Sequence, residues 1–405
     1  MAKRVFLHVG LPKSGTSYLQ AILIENKQQL MERSQLLFPG LTWAHQVAAV
    51  RDVRGMPFAP SEREKVRGAW PNLVGEIAAW QGDAVVSMEW LCRAESEQIR
   101  RIVEDLEPSS VEVIFTLRDL GRTIRAAWQE SIQNRHDWSW SEFLAGVTGD
   151  EPRTKPGRRF WYLHDVEQLL SQWSQHLPAE KLHVVTLPRR GSDPTVLWER
   201  FCQVLDVDGS GYTVEGRNPN ESLGLESIEL LRRLNPIARA AGVNKLMHKR
   251  LVKRRLAKRG LAKRAQQEPK LALPNEAWER IQTRAVEQIK GLETAGVHIV
   301  GDLEELRPEA PEGAGSQPED IGTDALLEVA LDGLVSLLLQ HDEALKGAAA
   351  EHAEQMAQRD VALKRMSRRN SRLGERNAGL RRRIAQLESR PFRSVLAKYR
   401  RKLPM

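Results

Sequence analysis

The chain has 405 residues, 41% of them apolar, enough for one large α/β domain with an appendage or for two domains. Its net charge of +8 and pI near 9.5 favour anionic partners. Its two cysteines, Cys92 and Cys202, exclude a disulfide scaffold and a multi-cysteine zinc site, and suit a reducing compartment. No secretory leader is read in the opening residues, and no stretch reaches about 18 uninterrupted apolar residues. The nearest, 325–339, carries Glu328 and Asp332. A cytoplasmic protein is expected, with peripheral contact at an anionic membrane left open by its basic segments.

Residues 1–307 alternate apolar runs with helical patterns. The runs "RVFLHV" (4–9), "DAVVSM" (83–88), "VEVIFTL" (111–117) and "KLHVVTL" (181–187) are short, continuous and β-branched, as in strands buried on both faces of a parallel sheet. Helices are predicted between them, for example over 17–33, 96–106 and 166–176. The alternation predicts a three-layer, doubly wound α/β domain.

Residues 308–322 read as a Pro/Gly/acidic linker. From 323 to 391 the pattern is helical. A heptad places Met356, Leu363, Asn370, Asn377 and Ile384 at a, and Met366, Leu373, Leu380 and Leu387 at d, with Arg359 alone spoiling the d row. Asparagine at a costs stability but fixes register, so a two-stranded coiled coil and a homodimer are expected. A lone amphipathic helix folded back on the domain is the alternative. The final 392–405 form a basic tail.

Inside the main domain, 245–264 holds ten lysines and arginines and no acid. Nucleic acid, anionic lipid or a polyanionic acceptor would suit it, as would a solvated helical face or mobile insertion. It has no aromatics for stacking on bases, which ranks nucleic acid lowest.

The chemistry concentrates at "GLPKSGTS", Gly10 to Ser17, between the first strand and the first helix. Unpaired N–H groups and the macrodipole make a helix start an anion site. Gly15 allows close backbone approach, Thr16 and Ser17 add hydroxyl donors, and Lys13 adds a point charge. A nucleotide P-loop places lysine after its second glycine; here Thr16 stands there. Asp119, a potential Mg²⁺ carboxylate, is preceded by Arg118 at the end of "VEVIFTL". An arginine at that strand end argues for a further anion rather than a metal, and no metal-ligand cluster is visible.

"LPKSGTSYLQ" (11–20) resembles the 5′-phosphosulfate loop of sulfotransferases that use 3′-phosphoadenosine 5′-phosphosulfate (PAPS), whose pattern is close to P-K-[ST]-G-T-[TS]-x-L-Q. "VEVIFTLRDLGRTIRAAWQ" (111–129) is similar to their 3′-phosphate strand and helix. The resemblance covers residues 4 to about 300 and implies a P-loop-like fold and sulfuryl transfer to a hydroxyl or amine acceptor: a glycan, a glycolipid or a small metabolite. It implies that Lys13 contacts the bridging and sulfuryl oxygens, that Ser14, Gly15, Thr16 and Ser17 cradle the 5′-phosphate, and that Arg118 forks the 3′-phosphate.

This sequence has Ala126 where the family usually places a second 3′-phosphate ligand, a serine, and Leu120 where a proline is usual. Arg122 and Ser131 are candidate replacements. "EGRNPNESLG" (215–224) loosely resembles a late cofactor loop, which would bring in Gly216 and Arg217. The expected base is Glu89, at the end of "DAVVSMEWL", with His45 as rival or acceptor contact. Trp138, Trp140, Trp161 and Tyr162 are candidates to line an acceptor pocket. Two other readings stay open: a variant P-loop kinase, and a non-catalytic scaffold or polyanion-binding protein on a decayed domain of this kind.

Overall fold

The computed structural model describes residues 1–58, 60–149, 154–214, 222–310 and 316–388. The chain forms two compact units, Met1–Leu334 and Val335–Met405.

The first unit is built on six parallel strands: β1 (Arg4–His8), β2 (Leu36–Leu37), β3 (Asp83–Ser87), β4 (Ser110–Leu117), β5 (Leu182–Thr186) and β6 (His298–Val300). Their order is β2-β3-β1-β4-β5-β6, with Leu7 of β1 opposite Val86 of β3 and Val113 of β4. The four expected strands are all present. β2 and β6 are edge strands of two and three residues, too short to produce an apolar run.

Continuous apolar runs are explained by two cores, one on each sheet face. Val5, Leu7, Val86, Val113, Phe115 and Val184 face one core, which includes Trp70, Ile99, Trp173 and Ile289 from helices. Phe6, Val85, Ile114 and Val185 face the other, against Leu19, Leu23, Trp198 and Phe201. The doubly wound, three-layer expectation holds. The first expected helix is broken in two, Thr16–Glu25 and Lys27–Ser34. At the break, buried Asn26 turns its amide to Thr213, accepting from its N–H (2.8 Å) and donating to its carbonyl (3.0 Å).

The connection leaving β1 runs to β2 and β3 on one side, while β4 leads to β5 and β6 on the other. In such sheets the ligand crevice opens beyond the carboxyl ends where the direction reverses, here between β1 and β4. The loop Gly10–Ser17 leaves β1 and Arg118 leaves β4, so the topology brackets the crevice with both.

The basic stretch is an ordered part of this unit. Lys245–Met247 continues into a wide π-type helix, His248–Gly260, then a short turn of helix, Leu261–Arg264. Helix Thr323–Glu388 begins within the first unit: Leu326 and Val329 are buried, and Arg264 pairs with Glu328 (3.3 Å) and Asp332. The first unit therefore extends past the linker that composition alone would place at 308–322. In the second unit the helix runs on from Val335, and the heptad residues Met356, Leu363, Met366, Leu373, Leu380, Ile384 and Leu387 are exposed along it. Residues 389–405, including the basic tail, lie outside the described residues.

Candidate active site

The ladder carries the chain one step beyond β1: Val9 N–H donates to Ile114 O (3.0 Å) and Leu11 N–H to Thr116 O (3.1 Å). The backbone then turns through left-handed conformations at Gly10, Lys13 and Gly15 (φ 63°, 73° and 87°). At two of these a side chain would also meet close neighbours. A Cβ on Gly10 would lie 2.5 Å from Thr16 Cγ2, and one on Gly15 2.5 Å from Leu197 Cδ2. Helix Thr16–Glu25 starts at Gly15, whose carbonyl accepts from Tyr18 and Leu19. The N–H groups of Gly15, Thr16 and Ser17 have no acceptor among the described residues. They are the donors a helix start offers to an anion.

Ser14 has a different place from the one the resemblance implies. Its N–H donates to Leu11 O (3.3 Å), and its hydroxyl turns inward, donating to the same oxygen (2.6 Å) and meeting Thr116 Oγ1 (2.6 Å). Ser14 therefore braces the loop, leaving the donors to Gly15, Thr16 and Ser17.

The brace continues through a buried polar chain that the sequence did not reveal. Because the Ser14 proton goes to Leu11 O, Thr116 donates to Ser14. His8 Nε2 then donates to Thr116 (3.2 Å), and His8 Nδ1 accepts from Ser87 Oγ (2.7 Å). Three strand ends and the loop are thereby locked together around a neutral imidazole.

Burial pushes His8 down from 6.5 to about 3, and burial, then Lys13, does the same to His164, which lines a small cavity beside the loop with Pro12, Ser14, Arg118 and Thr123. In the unfolded chain both histidines take up a proton below about 6.5. The stability they carry is therefore complete above 6.5 and is lost as pH falls from there toward 3. The melting temperature is expected to fall between pH 6.5 and 5, above the ordinary carboxylate range, and a His164→Phe variant to show a shallower fall in a thermal melt series. Parallel curves for the two proteins would refute this assignment.

Lys13 does not point into empty space. Its Nζ lies 3.0 Å from Glu130 Oε2, on helix Leu120–Gln133. Glu130 Oε1 is 3.9 Å from Nζ of Lys253, which donates to Asn134 Oδ1 (2.6 Å). Burial pushes the Glu130 carboxyl up, but Lys13 and then Lys253 outweigh it and hold the group below its ordinary value. The basic stretch thus delivers one lysine beside the catalytic candidate. Neither Glu130 nor Lys253 was legible as a site residue. The only signal was an acid on the helix that follows Arg118.

Arg118 leaves β4 directly into the crevice, and one terminal nitrogen donates to Lys13 O (3.4 Å). Its Nε is buried and has no partner among the described residues. Burial, then Arg122, pushes the group down to about 10, and among the described residues no carboxylate forms an ion pair with it. Arg122 is committed to Asp119 and to Pro188 O (3.2 Å); Arg125 reaches the carbonyls of Gly121 (3.3 Å) and Leu271 (3.4 Å). Asp119 caps the helix by accepting from Arg122 N (2.8 Å), which occupies the carboxylate a metal would need. No group of potential metal ligands occurs among the described residues. Ser131 donates its hydroxyl to Trp128 O (2.7 Å) within its own helix, so it does not replace the serine missing at Ala126.

Glu89 follows β3 and lies against the loop: a Cβ on Gly10 would be 3.2 Å from its own Cβ. Its Oε2 accepts from Gln20 Nε2 (3.2 Å). Gln20 and Trp43 both donate to Ser87 O, which fixes the strand end (3.3 and 3.1 Å). His45 is exposed at the start of helix Trp43–Val53, where its Nδ1 accepts from Thr42 N–H (3.2 Å) as part of the cap. Gly216 and Arg217 lie outside the described residues.

Two of the four aromatics, Trp138 and Trp140, belong to the core, which corrects their reading as acceptor-pocket residues, while Trp161 is half-buried. Trp138 and Trp140 are buried, with Trp140 packed on Trp128 (5.3 Å) and Phe143 (6.2 Å). Trp140 Nε1 is spent on Ala272 O, and Trp161 Nε1 on Val147 O. Tyr162 is exposed beneath Arg93. Indoles whose N–H groups find internal carbonyls are satisfied in a core.

No family model matches the sequence, and neither does any curated protein. Among solved structures, the chain is similar to a sulfotransferase from Alicyclobacillus acidocaldarius, at 16% identity over 61% of this chain and 97% of that one, with a TM-score of 0.35. It is also similar to the sulfotransferase domain from the curacin biosynthetic pathway, at 14% identity over 54% and 80%, with a TM-score of 0.28.

Proposed function

We propose that the chain transfers a sulfuryl group from PAPS to a hydroxyl or amine acceptor. One observation carries the reading: a helix start with three N–H groups and a lysine lies beside a part-buried arginine, and neither those N–H groups nor the arginine's buried Nε has a partner among the described residues. The first suits a 5′-phosphosulfate, the second a 3′-phosphate.

When bound, PAPS supplies an activated sulfuryl group, whose sulfur–oxygen bond to the 5′-phosphate breaks as the acceptor's oxygen or nitrogen bonds to sulfur. The residues of this chain divide the remaining work. Gly15, Thr16 and Ser17 hold the 5′-phosphate. Lys13, once released from Glu130, stabilises charge on the departing phosphate oxygen, the electrostatic contribution that usually dominates. Arg118 takes the 3′-phosphate as a planar fork. Glu89, against the loop and half-exposed, accepts the acceptor's proton. His45 has one ring nitrogen engaged as a cap, which favours Glu89 for that role. The acceptor class we propose is a glycan, a glycolipid or a small metabolite.

A thermal-shift experiment separates this reading from its rivals. Adding 3′-phosphoadenosine 5′-phosphate without Mg²⁺ should raise the melting temperature, with ATP giving a much smaller shift. Equal shifts would remove the 3′-phosphate argument and favour a kinase-like site. No shift with either would leave a non-catalytic domain.

A further inference from the structure

The candidate site takes one lysine of the segment 245–264, Lys253 beside Glu130, and leaves the rest unexplained. The segment is rigidly seated. His248, Val252, Leu256 and Ala257 face inward, and His248 Nε2 pairs with Asn235 Oδ1 (2.9 Å), itself buried against the carbonyls of Ile132 and His136. Lys253 is tied to Asn134 and Arg264 to a carboxylate cluster.

The opposite face is unlike an ordinary solvated helix. Lys245, Lys249, Arg250, Arg254, Arg259 and Lys263 are exposed, and no acid interrupts them in sequence. Large apolar side chains project beside them: Leu246 is 66% exposed, Met247 43% and Leu251 42%, with Ile237 at 65% on the preceding helix. A helix that turns cations and leucines to the same solvent, with no aromatic for base stacking, has the make-up of an interfacial helix. The cations meet a negative headgroup layer and the leucines enter the acyl boundary.

We infer that this face docks the protein on an anionic lipid bilayer. A polyanion alone would use the cations and leave Leu246, Met247 and Leu251 in water. The bilayer satisfies both. This inference stands independently of sulfuryl transfer, because it uses neither the loop nor Arg118.

The test is co-sedimentation of the full-length protein with vesicles of phosphatidylcholine, with and without about 30% phosphatidylglycerol. Binding to the anionic vesicles should exceed that to neutral ones by about tenfold or more and should weaken steeply between about 0.1 and 0.5 M salt. The double variant Leu246→Ser/Leu251→Ser should bind at least about fivefold more weakly, with an unchanged melting temperature, since both side chains are exposed. The basic tail is common to both proteins and cancels in that comparison. Absence of vesicle binding would overturn the proposal, as would equal binding by the double variant. Tighter binding to a single-stranded RNA than to the vesicles, unchanged in the double variant, would assign the face to nucleic acid instead.

Discussion

Replacing Lys13 by methionine is expected to lower kcat for sulfuryl transfer by about two to three orders of magnitude, the loss typical when one preorganised charge stabiliser is removed. Methionine keeps the unbranched stem and tolerates φ 73° about as well as lysine, so the loop should retain its path. The ion pair with Glu130 is lost, but both partners are part-exposed, so the stability change should stay within about 1 kcal/mol. Glu130 keeps Lys253 at 3.9 Å as a counter-charge. Affinity for 3′-phosphoadenosine 5′-phosphate, which lacks the sulfuryl group, should fall much less than the rate. Steady-state kinetics with a labelled-sulfate donor, paired with thermal melts, measure both. A Lys13→Met enzyme with undiminished kcat would end the assignment.

What could be read from the sequence was whatever lies in consecutive residues. The loop was legible because its glycines, lysine and hydroxyls are contiguous, and Arg118 because it directly follows an apolar strand. The four central strands were legible because burial on both faces leaves long β-branched runs. The edge strands β2 and β6 were not, since two or three residues give no period. The helix break at Asn26 was invisible because its cause, Thr213, is distant in the chain. The same holds for the His8–Thr116–Ser14 brace and the Lys13–Glu130–Lys253 cluster, assembled from separate elements. Trp138 and Trp140 misled in the other direction. Sequence reports an aromatic's chemistry but not whether its N–H has found an internal carbonyl, and burial decided them.

Arg118 offers the sharpest separation of binding from folding. Its side chain is part-buried, its buried Nε has no partner among the described residues, and its charged form is disfavoured, with the pKa pushed down to about 10. An arginine in that state is a liability to the unliganded protein, because its desolvation is not repaid by a carboxylate. Arg118→Met, similar in length and apolar, should therefore leave the unliganded melting temperature unchanged or raise it. The same change should weaken binding of 3′-phosphoadenosine 5′-phosphate by about a hundredfold, near the cost of leaving a buried phosphate without its charged donor. Binding of 5′-AMP, which has no 3′-phosphate, should change little, so the preference between the two nucleotides collapses. Titration calorimetry with both ligands tests this directly. Equal loss for both would mean that Arg118 acts by holding Lys13 O (3.4 Å) and thus the loop, not by reading the 3′-phosphate. Selective loss joined to undiminished stability cannot come from a damaged fold, and it would tie a buried guanidinium nitrogen that has no partner among the described residues to the 3′-phosphate, the group that distinguishes the donor from an ordinary adenine nucleotide.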